Sequence, residues 1–275
     1  MADSSRTPDQ EQHQVIDTSV AHTARVWNYW LGGKDNYPVD REVGDQIFSF
    51  MPDIINGARA QRGFLVRAVR YLASEAGIRQ FLDIGTGLPT ANNTHEVAQA
   101  TVPECRIVYV DNDPLVLVHA RALLISTPEG VTDYLDADLR DPDTILRDAA
   151  RTLDFTQPIG LMLMGIMEHI IDNDEAYAIV HRLLDALVAG SHLVLSDPST
   201  DGFDGDVTLK ACQRWNESGG TPPVMVRSRQ ELARFFQGLE LLEPGLVPCP
   251  QWRPDPIDIG APVEVNGFCG VGRKL

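Results

Sequence analysis

From Arg79 onward the chain alternates short apolar or β-branched runs with amphipathic stretches, and this alternation constrains the fold more than any other feature. The runs are Gln80–Ile84, Arg106–Val110, Val131–Leu135, Ile159–Met164 and Ser191–Ser196. Helix starts stand between them. Asn93 and Glu96 have capping-box-like spacing, and Asp113-Pro114 and Asp141-Pro142 each join an N-cap acid to a proline at the first helical position. A further helix, Asn173–Leu187, closes at Gly190. Strands joined through helices run parallel in a sheet covered on both faces. Ile159–Met164 has the near-continuous apolar character of such a buried strand. The expected class is therefore α/β.

After the fifth strand, Asp197–Asp206 reads as a loop and Val207–Glu217 as a helix. Ser228 and Glu231 form a capping box for a helix ending at Gly238. Leu239–Leu242 and Glu264–Gly272 read as final strands, and the proline-rich stretch between them is expected to hold no regular structure. Residues 16–76 carry helical signals and no clear strand. The expected organisation is a frayed polar tail over 1–15, a helical cap or lid over 16–76, and a ligand-binding domain over 77–275.

Composition narrows the function classes. A net charge of −16 repels phosphate backbones and argues against a nucleic-acid partner. The helically spaced Arg59, Arg62, Arg67 and Arg70 are expected to form a solvated face. The polar start lacks the apolar run of a signal peptide, and the longest apolar run, Ile159–Met167, is too short to span a bilayer. Four scattered cysteines, with no CxxC pair, predict reduced thiols in a cytoplasmic protein and no metal site.

Parallel sheets bind ligands at the carboxyl ends of their strands, so chemistry is expected just after Ile84, Val110, Leu135 and Met164. Gly85-Thr86-Gly87 follows the first strand; its two glycines allow a sharp turn and close backbone approach to a ligand, or mark only a tight turn. Asp111 ends the second strand, 24 positions past Gly87, a spacing that suits an acid on a ribose diol. Its other reading is a helix cap, a role Asp113 already fills. Asp138 and Leu139 follow the third strand and either hold an adenine or form a solvated turn. Gly165 follows the fourth, ahead of Glu168 and His169, which could act as acid or base or only pack near a ligand. Leu88-Pro89-Thr90 stands where a dinucleotide site keeps its third glycine, which disfavours a nicotinamide oxidoreductase and favours a smaller nucleoside.

These motifs resemble class I S-adenosylmethionine-dependent methyltransferases. Over Ile16 to Leu275 the chain is similar to a bacterial S-adenosyl methyltransferase-like family, formerly a domain of unknown function. Ala24-Arg25-Val26-Trp27-Asn28-Tyr29-Trp30-Leu31-Gly32-Gly33-Lys34-Asp35-Asn36-Tyr37 and Gly270-Val271-Gly272-Arg273-Lys274 carry the likeness. The resemblance implies a Rossmann-like fold with a seven-stranded, mostly parallel sheet, its last strand antiparallel, and an N-terminal helical extension. It implies S-adenosylmethionine as cofactor and S-adenosylhomocysteine as product. Gly85, Thr86 and Gly87 would hold the methionine end, Asp83 its ammonium, Asp111 the ribose, and Asn112, Asp138 and Leu139 the adenine. Methyltransferases usually carry another glycine in the first loop, where this chain has Leu88-Pro89-Thr90. The family supplies no acceptor.

The aromatics around Gly32-Gly33 fit either a lid over the strand ends, with Tyr29 and Tyr37 at the ligand, or a helical pair packed on the sheet edge. Glu168 and His169 are the candidate bases, and no Asn-Pro-Pro-Tyr type of motif is present, which favours a small-molecule acceptor. The rival expectation is a cofactor-binding regulatory module without methyl transfer. Oligomeric state is not legible.

Overall fold

A computed structural model describes residues 16–123, 125–255 and 263–275; the expected tail, 1–15, lies outside them. Among these residues eight strands form one sheet in the order β3-β2-β1-β4-β5-β8-β6 (Leu239–Leu241), with β7 (Val247–Pro248) also on β8. The five parallel strands are β1 (Gln80–Ile84), β2 (Arg106–Asp111), β3 (Val131–Asp136), β4 (Gly160–Met164) and β5 (His192–Pro198). The final strand, β8 (Gly267–Lys274), runs antiparallel to β5, as expected.

The alternation of the strands sorts their side chains into two cores. Leu82, Val108, Leu161 and Leu193 face α6 (Pro142–Ala149), α7 (Asn173–Asp185) and α9 (Arg229–Arg234). Phe81, Ile107, Met162 and Val194 face the other way, against α3 (Ile54–Ser74) and α4 (Thr94–Thr101). Helix α3 is 21 residues long and buries Phe64, Leu65, Ala68, Val69 and Leu72, a stripe at helical spacing. Each fully buried Phe or Leu contributes about 1.5–3 kcal/mol, so α3 is one layer of the central domain.

The expected cap over 16–76 therefore divides. Only α1 (Thr23–Trp30) and α2 (Pro38–Phe48) stand apart, sharing a separate cluster of Val26, Trp30, Val43 and Ile47 with Trp215 of α8 (Gly205–Glu217). Asn28 pins the Gly-Gly turn between them: its carbonyl accepts from the Gly33 N–H at 2.8 Å and its Oδ1 from the Asp35 N–H at 3.0 Å.

The arginine run is only half the expected solvated face: Arg59 and Arg70 are exposed, whereas Arg62 and Arg67 are tied to neighbouring loops. Arg62 donates to the Ala91 and Asn92 carbonyls, and Arg67 to those of Trp252 and Cys249. The proline-rich stretch also carries some regular structure. Following β6 (Leu239–Leu241), β7 (Val247–Pro248) pairs with Phe268 and Cys269, and a 3-10 turn spans Cys249–Gln251. An edge position lets Pro248 join the sheet without an N–H to give. This edge pairing brings the strand count to eight. All four cysteines are free thiols, and no helix among the described residues is long and apolar enough to cross a membrane.

Candidate functional site

The strand order reverses at β1: β2 and β3 lie on one side, β4 and β5 on the other. The loops after β1 and β4 consequently diverge and leave a crevice at their carboxyl ends. Helix α1 lies across it with Thr23, Trp27 and Leu31, three residues spaced by four on one face. The cleft is open to solvent at its mouth and is walled by the loops after β1, β2 and β4. A side bay beyond Asp111 and Asn112 is lined by Ala137, Asp138, Leu139 and Ile170.

The turn after β1 requires glycine twice, at Gly85 for space and conformation and at Gly87 for conformation. Gly85 (φ +75°) and Gly87 (φ +63°) hold left-handed conformations, and a Cβ on Gly85 would stand 2.5 Å from the Ile166 side chain. Asp111 organises the turn: its Oδ2 accepts from the Gly87 N–H at 2.8 Å and its Oδ1 from the Asp113 N–H at 3.0 Å. Burial raises its carboxyl above the ordinary range, against the pull of these two N–H groups. Asp113 caps the following helix, α5 (Pro114–Leu123), through the Leu115 N–H, as the sequence predicts, and meets His22 Nδ1 at 2.9 Å.

Asp83 lies deeper. Burial pushes its carboxyl up to about 6, while the Thr94 hydroxyl at 2.5 Å and the nearby Arg62 charge act the other way. Tyr109 and Tyr134 stack beside it at 6.3 Å, and the Tyr134 hydroxyl meets Thr86 Oγ1 at 3.2 Å. These are cleft residues that sequence reasoning treated as strand core. Their period-two placement puts them on the face covered by α3 and α4, and an apolar pattern alone cannot separate a core tyrosine from a cleft tyrosine.

The structure brings Asp83, Gly85, Thr86, Gly87, Asp111, Asn112, Gly165 and His169 together around the cleft. Asp138 and Leu139 line the side bay, where Asn112 Nδ2 donates to Asp138 Oδ2 at 3.2 Å. Leu88, at the departed glycine position, is buried against Leu115 and Val116, so the loop closes where a third glycine would have kept it open.

Three expected residues fall elsewhere. Tyr29 lies two positions from Trp27, on the far side of α1, and donates its hydroxyl to Asp45 of α2 at 2.7 Å. Tyr37 caps α2 and packs behind the first loop with Leu88 and Leu115. Neither lines the cleft. Glu168, on the 3-10 turn Met167–His169, lines a second, more apolar cavity while its Oε1 stays 3.9 Å from His169 Nε2. The two neighbours thus serve different spaces. His169 gives its Nδ1 proton to the Pro223 carbonyl at 3.2 Å, leaving Nε2 as an acceptor, and burial holds the ring down at about 4 and so neutral at pH 7. Asp197, which ends β5 in the second cavity, was read as loop. The strand-end reasoning applied to the first four strands would have found it at the fifth.

A family model described as S-adenosyl methyltransferase matches residues 9–275. The chain is similar to a crystal structure of a DUF574-family protein from Streptomyces avermitilis MA-4680, at 43% identity over 95% of this chain and 100% of that one, with a TM-score of 0.90. It is also similar to a candidate methyltransferase from Thermobifida fusca YX, at 41% identity over 94% and 97% of the two chains, with a TM-score of 0.85. Among curated proteins nothing matches.

Proposed function

The chain belongs to the S-adenosyl methyltransferase family, and we propose that the cleft at the end of β1 holds its S-adenosylmethionine and that the acceptor is a small molecule. It is a methyltransferase dependent on that cofactor. The single observation that carries the placement is the cradle made by Gly85, Gly87 and Asp111: a left-handed turn closed to side chains at Gly85, with a half-buried carboxylate fastened to it.

The residues fit a nucleoside bearing a cationic amino-acid end. Asp111 would bind the ribose hydroxyls, Asn112, Asp138 and Leu139 the adenine in the side bay, and the turn 85–87 the methionine carboxylate. Asp83 would hold the ammonium, whose charge offsets the burial that disfavours the aspartate anion. When bound, the cofactor supplies a methyl carbon open to in-line displacement. The chain's share is alignment and exclusion of water, since Thr23 and Trp27 of α1 cover the strand ends. His169, neutral with Nε2 free to accept, can receive the proton an acceptor sheds. Four free thiols favour a reducing, cytoplasmic setting.

Titration calorimetry with S-adenosylmethionine, S-adenosylhomocysteine and NAD as control tests the placement. Asp111→Ala should weaken both sulfur nucleosides roughly 10- to 100-fold, the range for hydrogen bonds to a charged group, with NAD silent throughout. Unchanged affinity in a variant whose circular dichroism matches the wild type would place the cofactor elsewhere.

A further inference from the structure

Beside the cleft lies a second cavity between α1, α2, α8 and the end of β5. Its walls are apolar and aromatic, with Val26, Trp30, Ile54, Trp215 and Val224 among them. Thr23, Trp27 and Gln61 line both spaces, so they form the partition between them. Gln61 is fixed there by its bond from Nε2 to Ser196 Oγ at 2.9 Å.

Polar residues in this cavity include Thr208, Asn266 and three carboxylates, of which Asp53 is exposed to solvent and only Asp197 and Glu168 are buried. Asp197 is 2% exposed, yet neither of its oxygens has a hydrogen bond of normal geometry; the N–H groups of Met167 and Glu168 favour its charge only through looser contacts. The nearest cation is the fully buried Arg227, and its guanidinium is committed elsewhere. Nε donates to Asn173 Oδ1 at 2.8 Å, Nη1 to the Met167 carbonyl at 2.7 Å and Nη2 to the Ile170 carbonyl at 2.6 Å. Among the described residues Asp197 makes no ion pair, and Glu168 meets only His169 Nε2, at 3.9 Å. Cys212 also faces the cavity, but burial raises its thiol and its Sγ is given to the Val224 carbonyl at 2.9 Å, so it brings no charge.

Buried carboxylates are costly unless paired. A structural pair would be satisfied by the protein's own donors, whereas these two face open space. Burial, and after it the charge of Asp197, pushes the carboxyl of Glu168 well up, and burial pushes Asp197 up to about 7 against the pull of Arg227 and of the Glu168 and Met167 N–H groups. The pair therefore has a standing demand for a proton or a cation. A hard metal ion would need six or more oxygen ligands, and no metal-binding cluster of His, Cys, Asp or Glu is present among the described residues. An ammonium on an apolar body meets the demand: it donates to the carboxylates while the tryptophans take the body and favour the charge.

We propose that this second cavity is the acceptor chamber, and that the acceptor carries an ammonium on an apolar, aromatic-sized body: the ammonium is anchored at Asp197 and Glu168, and a different atom, at the cleft end of the body, takes the methyl group and sheds its proton to His169. The assignment rests on the cofactor reading of the neighbouring cleft, because the shared partition of Thr23, Trp27 and Gln61 is what makes the chamber face the methyl donor.

Calorimetry on the full chain saturated with S-adenosylhomocysteine tests it, with benzylamine, phenethylamine and tryptamine set against the matching alcohols. At least one amine should bind about tenfold or more tightly than its alcohol, the worth of charge-assisted hydrogen bonds. Asp197→Asn should remove that preference while leaving alcohol binding alone. It should also raise the melting temperature of the ligand-free protein, since it removes a buried unpaired charge. Ala211→Phe, which fills the chamber from α8, should block amines and alcohols alike. The proposal is overturned if none of the three amines binds, if amines and alcohols bind equally, or if Asp197→Asn keeps the preference. S-adenosylhomocysteine affinity is measured first and separately, so its absence would count against the cofactor cleft instead.

Discussion

The Asp83 carboxyl ties the chemistry of the cleft to the pH dependence of the fold. Its value of about 6 lies above the ordinary 3.8 because burial disfavours the anion. The folded protein therefore binds this proton more tightly than the unfolded chain does. The associated penalty is absent below pH 3.8, grows as pH rises, and is complete above about 6. His169 and His192, both held at about 4 by burial, act in the opposite sense. They cost stability as pH falls from 6.5 towards 4, because only the unfolded chain takes up their protons. The separable quantity is a difference between proteins. Thermal melts of Asp83→Asn and wild type, run in parallel from pH 4 to 7 without ligand, should diverge in the variant's favour as pH rises and level off above about 6. Parallel curves would show that Asp83 is solvated. None of this was legible in the sequence, where Asp83 is one acid in a strand; its depth depends on Thr94 and Arg62, which arrive from other elements.

At the scale of elements, α3 joins the site to the C-terminal part of the chain. Its Arg67 gives Nε to the Trp252 carbonyl at 2.9 Å and Nη2 to the Cys249 carbonyl at 2.7 Å. Trp252 is fully buried, edge-on to Phe64 of the same helix with ring centroids 5.3 Å apart. Arg67→Met keeps the length of the stem and removes both donors. It should cost about 2–4 kcal/mol in urea unfolding, one to two carbonyls being left unmet. A cost below about 0.5 kcal/mol would mean the contact is solvent-bridged. The element pattern itself was largely readable. The cap motifs at Asn93, Asp141 and Ser228 all recur in the structure, because a cap is a short-range arrangement of a few adjacent residues. Within the arginine run, Arg59 and Arg70 are exposed as expected, but Arg62 and Arg67 were misread because helical spacing shows which residues share a face, not what that face meets.

For the whole molecule, the sheet order places the cleft, and the cleft couples ligand to stability. A ligand that binds only the folded chain adds RT ln(1 + [L]/Kd), about 2.7 kcal/mol at a hundred times Kd. For a chain of this size that predicts a rise in melting temperature of roughly 5–10 °C with S-adenosylhomocysteine, and a rise several degrees smaller in Asp111→Ala at the same concentration. Equal shifts in both proteins would move the nucleoside away from Asp111.

The sequence by itself determined the parallel α/β class, the positions of the first five strands, and the acids and glycines at their ends. Those features are local: a period of two, a cap, a proline at a helix start, a turn needing left-handed backbone. Tertiary structure alone decided which strand-end groups share a space. Glu168 and His169 are adjacent in sequence and serve different cavities, because a 3-10 turn points successive side chains apart. Tyr29 and Trp27 belong to one helix and only Trp27 reaches the cleft, because α2 claims the other face. Asp197 became notable only once α1, α2 and α8 had enclosed it, with no hydrogen bond of normal geometry among the described residues. Burial and charge pairing sum contributions from distant parts of the chain, which a local pattern cannot contain.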